Sequence, residues 1–468
     1  MAQTKHIIIV GAGTGGYVAA IRAAQLGAQV TLVEGARVGG LCLNWGCIPS
    51  KSLLACAELA QKIKKAEDFG IKISGEVSYD LARMVARKNQ IVAGLVKGVT
   101  TLLKTWNVAL IEGHGTLVDR GDVCIVKADG TETRVTGDAV ILGTGTTAPS
   151  LPNLPLNGTC VVSSREILDF TEIPPSLLIV GGGVEGCEFA SLYSALGSPV
   201  TIVEMLPRIL PLEDQEVSAL LAAELKKQGV TILTGTRVDK VSVAADGVTT
   251  TFENGQSVLA AKVLVSIGRR FNTGNLGLDT VGLTVGRRGE IPVDEHMETA
   301  LPGVYAIGDV VGKAMLAHVA AAQGKIAVKN ILGRPSVMHY EVVPAGIFTF
   351  PEIGRIGLTE EEARQQGMDI KVGKFRPIGL GKAHATGDTT GLFKIITEAK
   401  TGRIIGVHVV GAHAADLIHE AAVGMQMGAT AETIADTIHA HPTMPEGLLE
   451  AAEDVEGMAI HLARRRVG

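Results

Sequence analysis

His6-Ile7-Ile8-Ile9-Val10-Gly11-Ala12-Gly13-Thr14-Gly15-Gly16, near the N-terminus, is the stretch from which the rest of the chain is read. The apolar run reads as a buried strand, the glycines as a turn, and the Ala-rich stretch through Leu26 as a helix. Gly11 permits the tight turn, Gly13 lets the backbone approach a pyrophosphate at the helix N-terminus, and Gly16 lets the helix pack on the strand. A second strand, Val30 to Val33, ends in Glu34, whose carboxylate can accept hydrogen bonds from a ribose 2′-hydroxyl.

The arrangement recurs at Leu177 to Val180, Gly181-Gly182-Gly183-Val184-Glu185-Gly186, and a strand Val200 to Val203 that ends in Glu204. A lone glycine fingerprint is as often a structural turn. Strand, helix and an acid at matching spacing in both copies point instead to two dinucleotide sites, and so to an α/β chain with two Rossmann-like dinucleotide-binding domains. The plainer alternative for each acid is a solvent-facing strand end. Glu204 would repel a 2′-phosphate and therefore favours NAD over NADP.

With 468 residues, 46% of them hydrophobic, the chain can bury large cores and divide into several units. The net charge is −5 from 43 basic and 48 acidic residues without long basic runs, which argues against a nucleic-acid or membrane-surface partner. Arg464, Arg465 and Arg466 read as a solvated tail. The apolar runs are short and interrupted by glycine, with no membrane-length span and no signal-peptide pattern, so a cytoplasmic protein is expected. Six cysteines in so long a chain make no disulfide framework, and any disulfide would have to be catalytic.

Gly39-Gly40-Leu41-Cys42-Leu43-Asn44-Trp45-Gly46-Cys47-Ile48-Pro49-Ser50-Lys51 precedes an expected helical run from Ser52 to Lys65. Pro49 suits a first helical turn, which would place Cys47 at the positive end of the helix dipole and stabilise its thiolate. Alone, the two cysteines could be unrelated core thiols; a metal site would need further Cys or His ligands nearby, and none is there. Cys56, Cys124, Cys160 and Cys187 have no spacing partner and read as small buried hydrophobes. Near the other end stands His439-Ala440-His441-Pro442-Thr443-Met444-Pro445-Glu446. Imidazole titrates near neutral pH, so His441 can take and return a proton while Glu446 fixes its tautomer. The competing reading is a helix start, with Thr443 as N-cap and Glu446 closing a capping box.

Together these segments resemble the pyridine nucleotide-disulfide oxidoreductases, and the likeness runs along the whole chain. The resemblance implies FAD in the first unit and NAD in the second, with Cys42 as the interchange thiol and Cys47 as the thiol facing the flavin. It places Lys51 by the flavin ring with Glu188 as its partner, although Glu188 alone could be an ordinary helix-surface acid. Further cofactor-binding positions follow from it: Gly39, Gly40, Gly115, Thr144, Gly145, Thr146, Asp309 on the ribityl chain, Met315 and Ala317 for FAD, and Val238 and Gly268 for NAD. His441, paired with Glu446, is implied to reach the other subunit's disulfide in a homodimer joined by an α+β C-terminal domain. The implied boundaries are 1–146 for FAD, 147–270 for NAD, 271–339 for a central domain completing the FAD site, and 340–468 for the interface.

The wording of the redox motif is closest to members that oxidise dihydrolipoyl groups on a carrier protein in 2-oxo-acid dehydrogenase or glycine-cleavage assemblies. Mercuric reductases carry a C-terminal cysteine pair that Ile460 to Gly468 lacks, and glutathione reductases differ in the redox motif and prefer NADP. A flavin-bearing assembly subunit without turnover is the rival of another class. Three positions depart from the family pattern: Glu185 where relatives have an apolar residue, Pro445 where Ser is common, and Val319 in place of Lys. A carboxylate at Glu185 would repel a pyrophosphate unless it points away, which puts NAD affinity in question.

Overall fold

The computed structural model describes residues 4–463, so the Arg464–Arg466 tail lies outside the described residues. His6–Val10 is the centre of a five-stranded parallel sheet in the order Val304–Ala306, Ala139–Leu142, His6–Val10, Gln29–Glu34, Ala109–Glu112. Ile7, Ile8 and Ile9 are fully buried, as expected for a parallel strand covered on both faces. Its edge strand Val304–Ala306 comes from far along the sequence and pairs with Ala139–Leu142, so the 271–339 segment completes the first sheet.

The second unit repeats the plan. Leu177–Val180 lies central in a five-stranded parallel sheet ordered Thr231–Leu233, Val200–Val203, Leu177–Val180, Lys262–Val265, Val161–Val162. A two-stranded ribbon, Thr146–Thr147 against Arg270–Phe271, marks where the chain leaves the first unit and where it returns. Beyond it a five-stranded antiparallel sheet, Ala345–Ile347, Glu352–Gly357, Ile404–Gly411, Leu392–Glu398, Ile370–Phe375, is flanked by the helices Ala414–Gln426 and Glu446–Asp454. The mixed α/β architecture is the one the glycine loops imply. Among the described residues no helix is long and apolar enough to cross a membrane.

One strand of that antiparallel sheet carries a lysine among apolar residues. The Lys394 side chain is 2% exposed, and its Nζ lies 2.8 Å from carboxylate oxygens of Asp214, Glu216 and Glu360. Asp214 also caps the helix Gln215–Lys227, so the cluster ties the second nucleotide unit to the C-terminal domain. Burial works against the Lys394 charge, but the hydrogen bonds it donates to three carboxylates raise its pKa above the usual ammonium value. Burial pushes the three carboxyls up, but Lys394, with Lys374 at Glu216 and Arg364 at Glu360, outweighs it and holds each below the usual carboxylate range.

Lys394→Met leaves those charges without their shared partner and is expected to cost about 3–5 kcal/mol, the scale of breaking a buried pair. The check is the denaturant midpoint of the flavin-loaded protein. Because the folded carboxyl pKa values are depressed, the stabilisation is present above the unfolded carboxylate pKa and is lost as pH falls through the folded values. The deficit of the variant should therefore shrink on acidification, when its stranded carboxylates become neutral.

Candidate functional site

In the first loop Gly11 has φ +104°, and a Cβ on it would lie 2.3 Å from the Gly143 carbonyl oxygen. A Cβ on Gly16 would lie 1.8 Å from the Gly11 oxygen, so both glycines are required by the close approach of strand, turn and helix. Gly13 is the N-cap of the helix Thr14–Gln25 and has no side-chain cap, which leaves that terminus open to an anion. Gly39 and Gly40 close over it: Gly13 bridges to Gly39, and a Cβ on Gly40 would sit 2.6 Å from the Gly13 Cα. Gly115 packs against the Val10 side chain in the strand behind.

The second loop matches. Cβ atoms on Gly181 and Gly186 would each stand 2.0 Å from a carbonyl oxygen, those of Ser266 and Gly181 respectively, while Gly183 is the uncapped N-cap of Val184–Ala195 with open space beside it. The two acids also match. Glu34 accepts the Ala12 and Ala36 N–H groups at 2.7 Å each, and Glu204 accepts those of Gly182 and Leu206 at 2.7 Å each. Each carboxylate thus holds its own glycine loop in place, a structural task the ribose reading had left out, and keeps further lone pairs for a ligand. Neither is a plain solvent-facing strand end; Glu204 is buried. Val238 begins a strand of the same unit and is buried, and Gly268 follows its last sheet strand.

Cys42 and Cys47 form a disulfide with their Cα atoms 4.6 Å apart. The helix behind them begins at Cys47 itself and runs to Lys64, five residues earlier than the expected start at Ser52, and Gly40–Trp45 is a short helix of its own. Pro49 can lie within the first turn because its missing N–H is among those a helix start leaves unpaired, so Cys47 sits at the positive end of the dipole. One turn on, Lys51 bonds both oxygens of Glu188 at 2.8 and 2.7 Å, and Phe348 lies beneath the ammonium at 4.6 Å. Glu188 is buried, not a surface acid, and also accepts the Phe348 N–H at 3.0 Å. The buried carboxylate therefore has its counter-ion, a lysine whose side chain is 31% exposed.

Thr146 donates to Asp309 at 3.2 Å and accepts from Arg269 Nε at 3.2 Å, while Thr144 and Gly145 are tied to Asn272. Burial pushes the Asp309 carboxyl up, opposed by Thr146 and Arg269. Ala317 opens the helix Ala317–Ile331, and Met315 before it is exposed. Val319 is buried in that helix, so the apolar residue there packs where a lysine could not remain solvated.

His441 Nδ1 and Glu446 Oε1 are 2.7 Å apart, and Glu446 Oε2 accepts the Thr443 N–H at 2.7 Å. The helix starts at Glu446 with Pro445 as N-cap, so Thr443 is not its cap; its hydroxyl donates to the Ala440 carbonyl. The two readings of Glu446 are thus combined in one carboxylate, one oxygen for the ring and one for the backbone. Burial pushes this carboxyl up, but the Thr443 N–H and His441 outweigh it and hold it below the usual range. The His441 side chain is 75% exposed, and among the described residues Glu446 is its hydrogen-bond partner and no hydrogen bond joins it to Cys42 or Cys47. His439 is fixed separately by Glu420 at 2.9 Å, a contact that sequence spacing did not announce.

Residues 5–324 match the model of the pyridine nucleotide-disulphide oxidoreductases, and residues 343–452 match the dimerisation domain of the same family. A dihydrolipoyl dehydrogenase of Chlamydia pneumoniae is 42% identical over 452 residues, covering 97% of each chain. One of Thermus scotoductus is 41% identical over 468 residues, covering 99% of this chain and all of the other. Among solved structures, LpdA from Mycobacterium tuberculosis superposes with a TM-score of 0.92 at 30% identity, covering 97% of this chain and 100% of that one. The HOCl-induced flavoprotein disulfide reductase RclA of Escherichia coli gives 0.85 at 28% identity, covering 96% and 99%. The paired glycine cradles that a single Cβ would fill, each with an uncapped helix terminus, fit two dinucleotides, and a chain alike in sequence along its length belongs to the pyridine nucleotide-disulphide oxidoreductases, as an oxidoreductase using FAD and NAD.

Proposed function

We propose that the enzyme oxidises dihydrolipoyl groups on a carrier protein to the lipoyl disulfide and reduces NAD, acting as a cytoplasmic homodimer. The observation that carries this reading is the Cys42–Cys47 disulfide at the start of the helix that also bears the Lys51–Glu188 pair. The relatives named dihydrolipoyl dehydrogenase support the choice of dithiol. Service in a 2-oxo-acid dehydrogenase or glycine-cleavage assembly follows from that substrate.

A substrate thiolate attacks Cys42 Sγ, the Cys42–Cys47 bond breaks, and Cys47 leaves as a thiolate stabilised by the helix terminus. The second substrate thiol then displaces Cys42 from the mixed disulfide, which closes the lipoyl ring and leaves both cysteines reduced. His441, from the partner subunit, takes the proton of the first thiol, passes it to Cys42 Sγ as that sulfur is displaced, and then holds the proton of the second thiol, while Glu446 fixes its ring. The bound cofactors supply removal of that electron pair, through FAD and onto NAD as a hydride. Gly11, Gly13, Gly16, Glu34, Gly39, Gly40, Gly115, Lys51, Thr144 to Thr146, Asp309, Met315 and Ala317 would hold FAD. Gly181, Gly183, Gly186, Glu188, Glu204, Val238 and Gly268 would hold NAD. The boundaries at 146 and 270 are part of the same reading, supported by the ribbon at Thr146–Thr147 and Arg270–Phe271.

The test is steady-state oxidation of free dihydrolipoamide by the flavin-loaded protein, with NAD and NADP at matched concentration. Turnover with NAD and much less with NADP is expected; a flavin-loaded protein that leaves dihydrolipoamide unoxidised with NAD overturns the reading. The loops give a second prediction. Gly186→Ala forces backbone apart and should weaken NAD binding about tenfold, the scale of overpacking by a kcal/mol or more, with flavin retained. Gly16→Ala should instead lower the flavin content of the purified protein, read from its visible absorbance.

A further inference from the structure

The helix Val184–Ala195 carries a carboxyl group that the chemistry above does not use. Glu185 lies in its first turn and Glu188 three residues on, so both project from one face, between the glycine turn and the Lys51 ion pair. Facing Glu185 are Ser164 at the start of a short helix, Ser266 just past the strand Lys262–Val265, the Arg269 guanidinium, and Glu188. Arg269 is shared: it also donates to the Thr146 hydroxyl and carbonyl at 3.2 and 3.1 Å, on the side of the first cofactor. In a unit of this kind the pyrophosphate rests on the helix N-terminus and the adenosine runs toward the acid ending the second strand, here Glu204. The other half of the nucleotide would then extend away from Glu204, along the helix face that carries Glu185 and the Lys51-bound Glu188.

We propose that Glu185 selects between the oxidation states of the nicotinamide nucleotide, binding the oxidised form in preference to the reduced form. This rests on the assignment of NAD to the second unit. The nicotinamide ring is cationic when oxidised and neutral when reduced, while the remainder of the molecule is unchanged. A carboxylate along its path attracts the first ring and is indifferent to the second. Repulsion between Glu185 and the pyrophosphate is the same in both states and cancels from the ratio. The carboxylate thus weakens overall nucleotide affinity while biasing what remains toward release of the reduced product. Burial pushes the Glu185 carboxyl up, Arg269 and the two serines pull it down, and Glu188 adds to the rise. The ionised fraction grows with pH, so the preference for oxidised nucleotide strengthens as pH rises.

The test titrates the flavin-loaded protein and its Glu185→Gln variant by calorimetry with NAD, with the redox-inert 1,4,5,6-tetrahydro analogue of NADH, and with ADP-ribose. Gln keeps size and hydrogen bonding without the charge. The ratio of NAD to tetrahydro-analogue affinity is expected to fall about tenfold in the variant, one logarithmic unit of a single charge interaction. It should rise with pH in the parent and stay flat in the variant. ADP-ribose, which lacks the ring, reports the pyrophosphate term alone and should bind the variant no more weakly. An unchanged ratio in the variant overturns the inference while leaving the NAD assignment standing. Failure of the parent to bind any of the three ligands overturns the assignment itself, and the inference with it.

Discussion

Cys42→Ser should lower dihydrolipoamide oxidation by at least about 10⁴-fold, the scale of losing an enzyme's nucleophile, while flavin content stays at the parent level. The oxidised enzyme stores its capacity for two electrons in one bond, Cys42–Cys47, and a serine oxygen cannot form it. The substitution changes no residue of either glycine loop, so the variant should still pass electrons from NADH to an artificial acceptor such as ferricyanide. The two assays on one preparation separate loss of the disulfide from loss of the fold. Cys47→Ser should give the same division, because an attacking thiolate then finds a lone thiol at Cys42 and no disulfide to open. Retention of dithiol oxidation in either variant would remove the pair from the reaction.

Much of this site was legible because its chemistry is local. A glycine turn, a capless helix terminus and the acid ending the next strand are set by residues within one strand-helix-strand unit, so their spacing carries the information. The same holds for His441 and Glu446, five residues apart and bonded at 2.7 Å. What the spacing could not resolve was which of two local tasks Glu446 performs, since a carboxylate has two oxygens and here they divide the work. The start of the redox helix was misjudged for a related reason. Proline's tolerance covers the whole first turn, so Pro49 was compatible with a helix beginning at Cys47 and did not by itself mark the first residue.

Contacts between distant segments left weaker traces. The Lys51–Glu188 pair joins positions far apart in the chain, and its residues were named through resemblance, not pattern. The Lys394 cluster draws carboxylates from two other elements and was not foreseen, although a lysine inside the otherwise apolar run 392–396 was a signal that a buried counter-charge had to exist. Arg269 left no local trace either: it follows Gly268, which resemblance had placed by NAD, but its bonds to Thr146 join positions far apart in the chain.

His441→Gln should slow dithiol oxidation about 10²–10⁴-fold, the usual contribution of a positioned acid-base group, with flavin and NAD binding unaltered. The amide can still donate to Glu446, so the local structure is preserved, but it cannot take a thiol proton. With 75% of the imidazole exposed and its other nitrogen free of partners among the described residues, the ring is supported from one side and open on the other, as a group that meets substrate must be. Glu446 acts through that ring as a positioning residue. In Glu446→Gln one amide oxygen must replace two carboxylate oxygens, so either the ring or the Thr443 N–H loses its partner, and a smaller loss of rate is expected than for His441→Gln. The discriminating readout is the single-turnover rate of dithiol oxidation in the double variant His441→Gln/Glu446→Gln. A carboxylate that acts through the ring costs rate when the ring is present and nothing further once it is gone, so the double variant should be no slower than His441→Gln alone. The Thr443 N–H and His441 hold the Glu446 carboxyl below the usual range, so the ring faces an anion at neutral pH. Full activity in His441→Gln would assign the proton to another base; an unchanged rate in Glu446→Gln, or a full further loss in the double variant, would reduce the carboxylate to a helix cap.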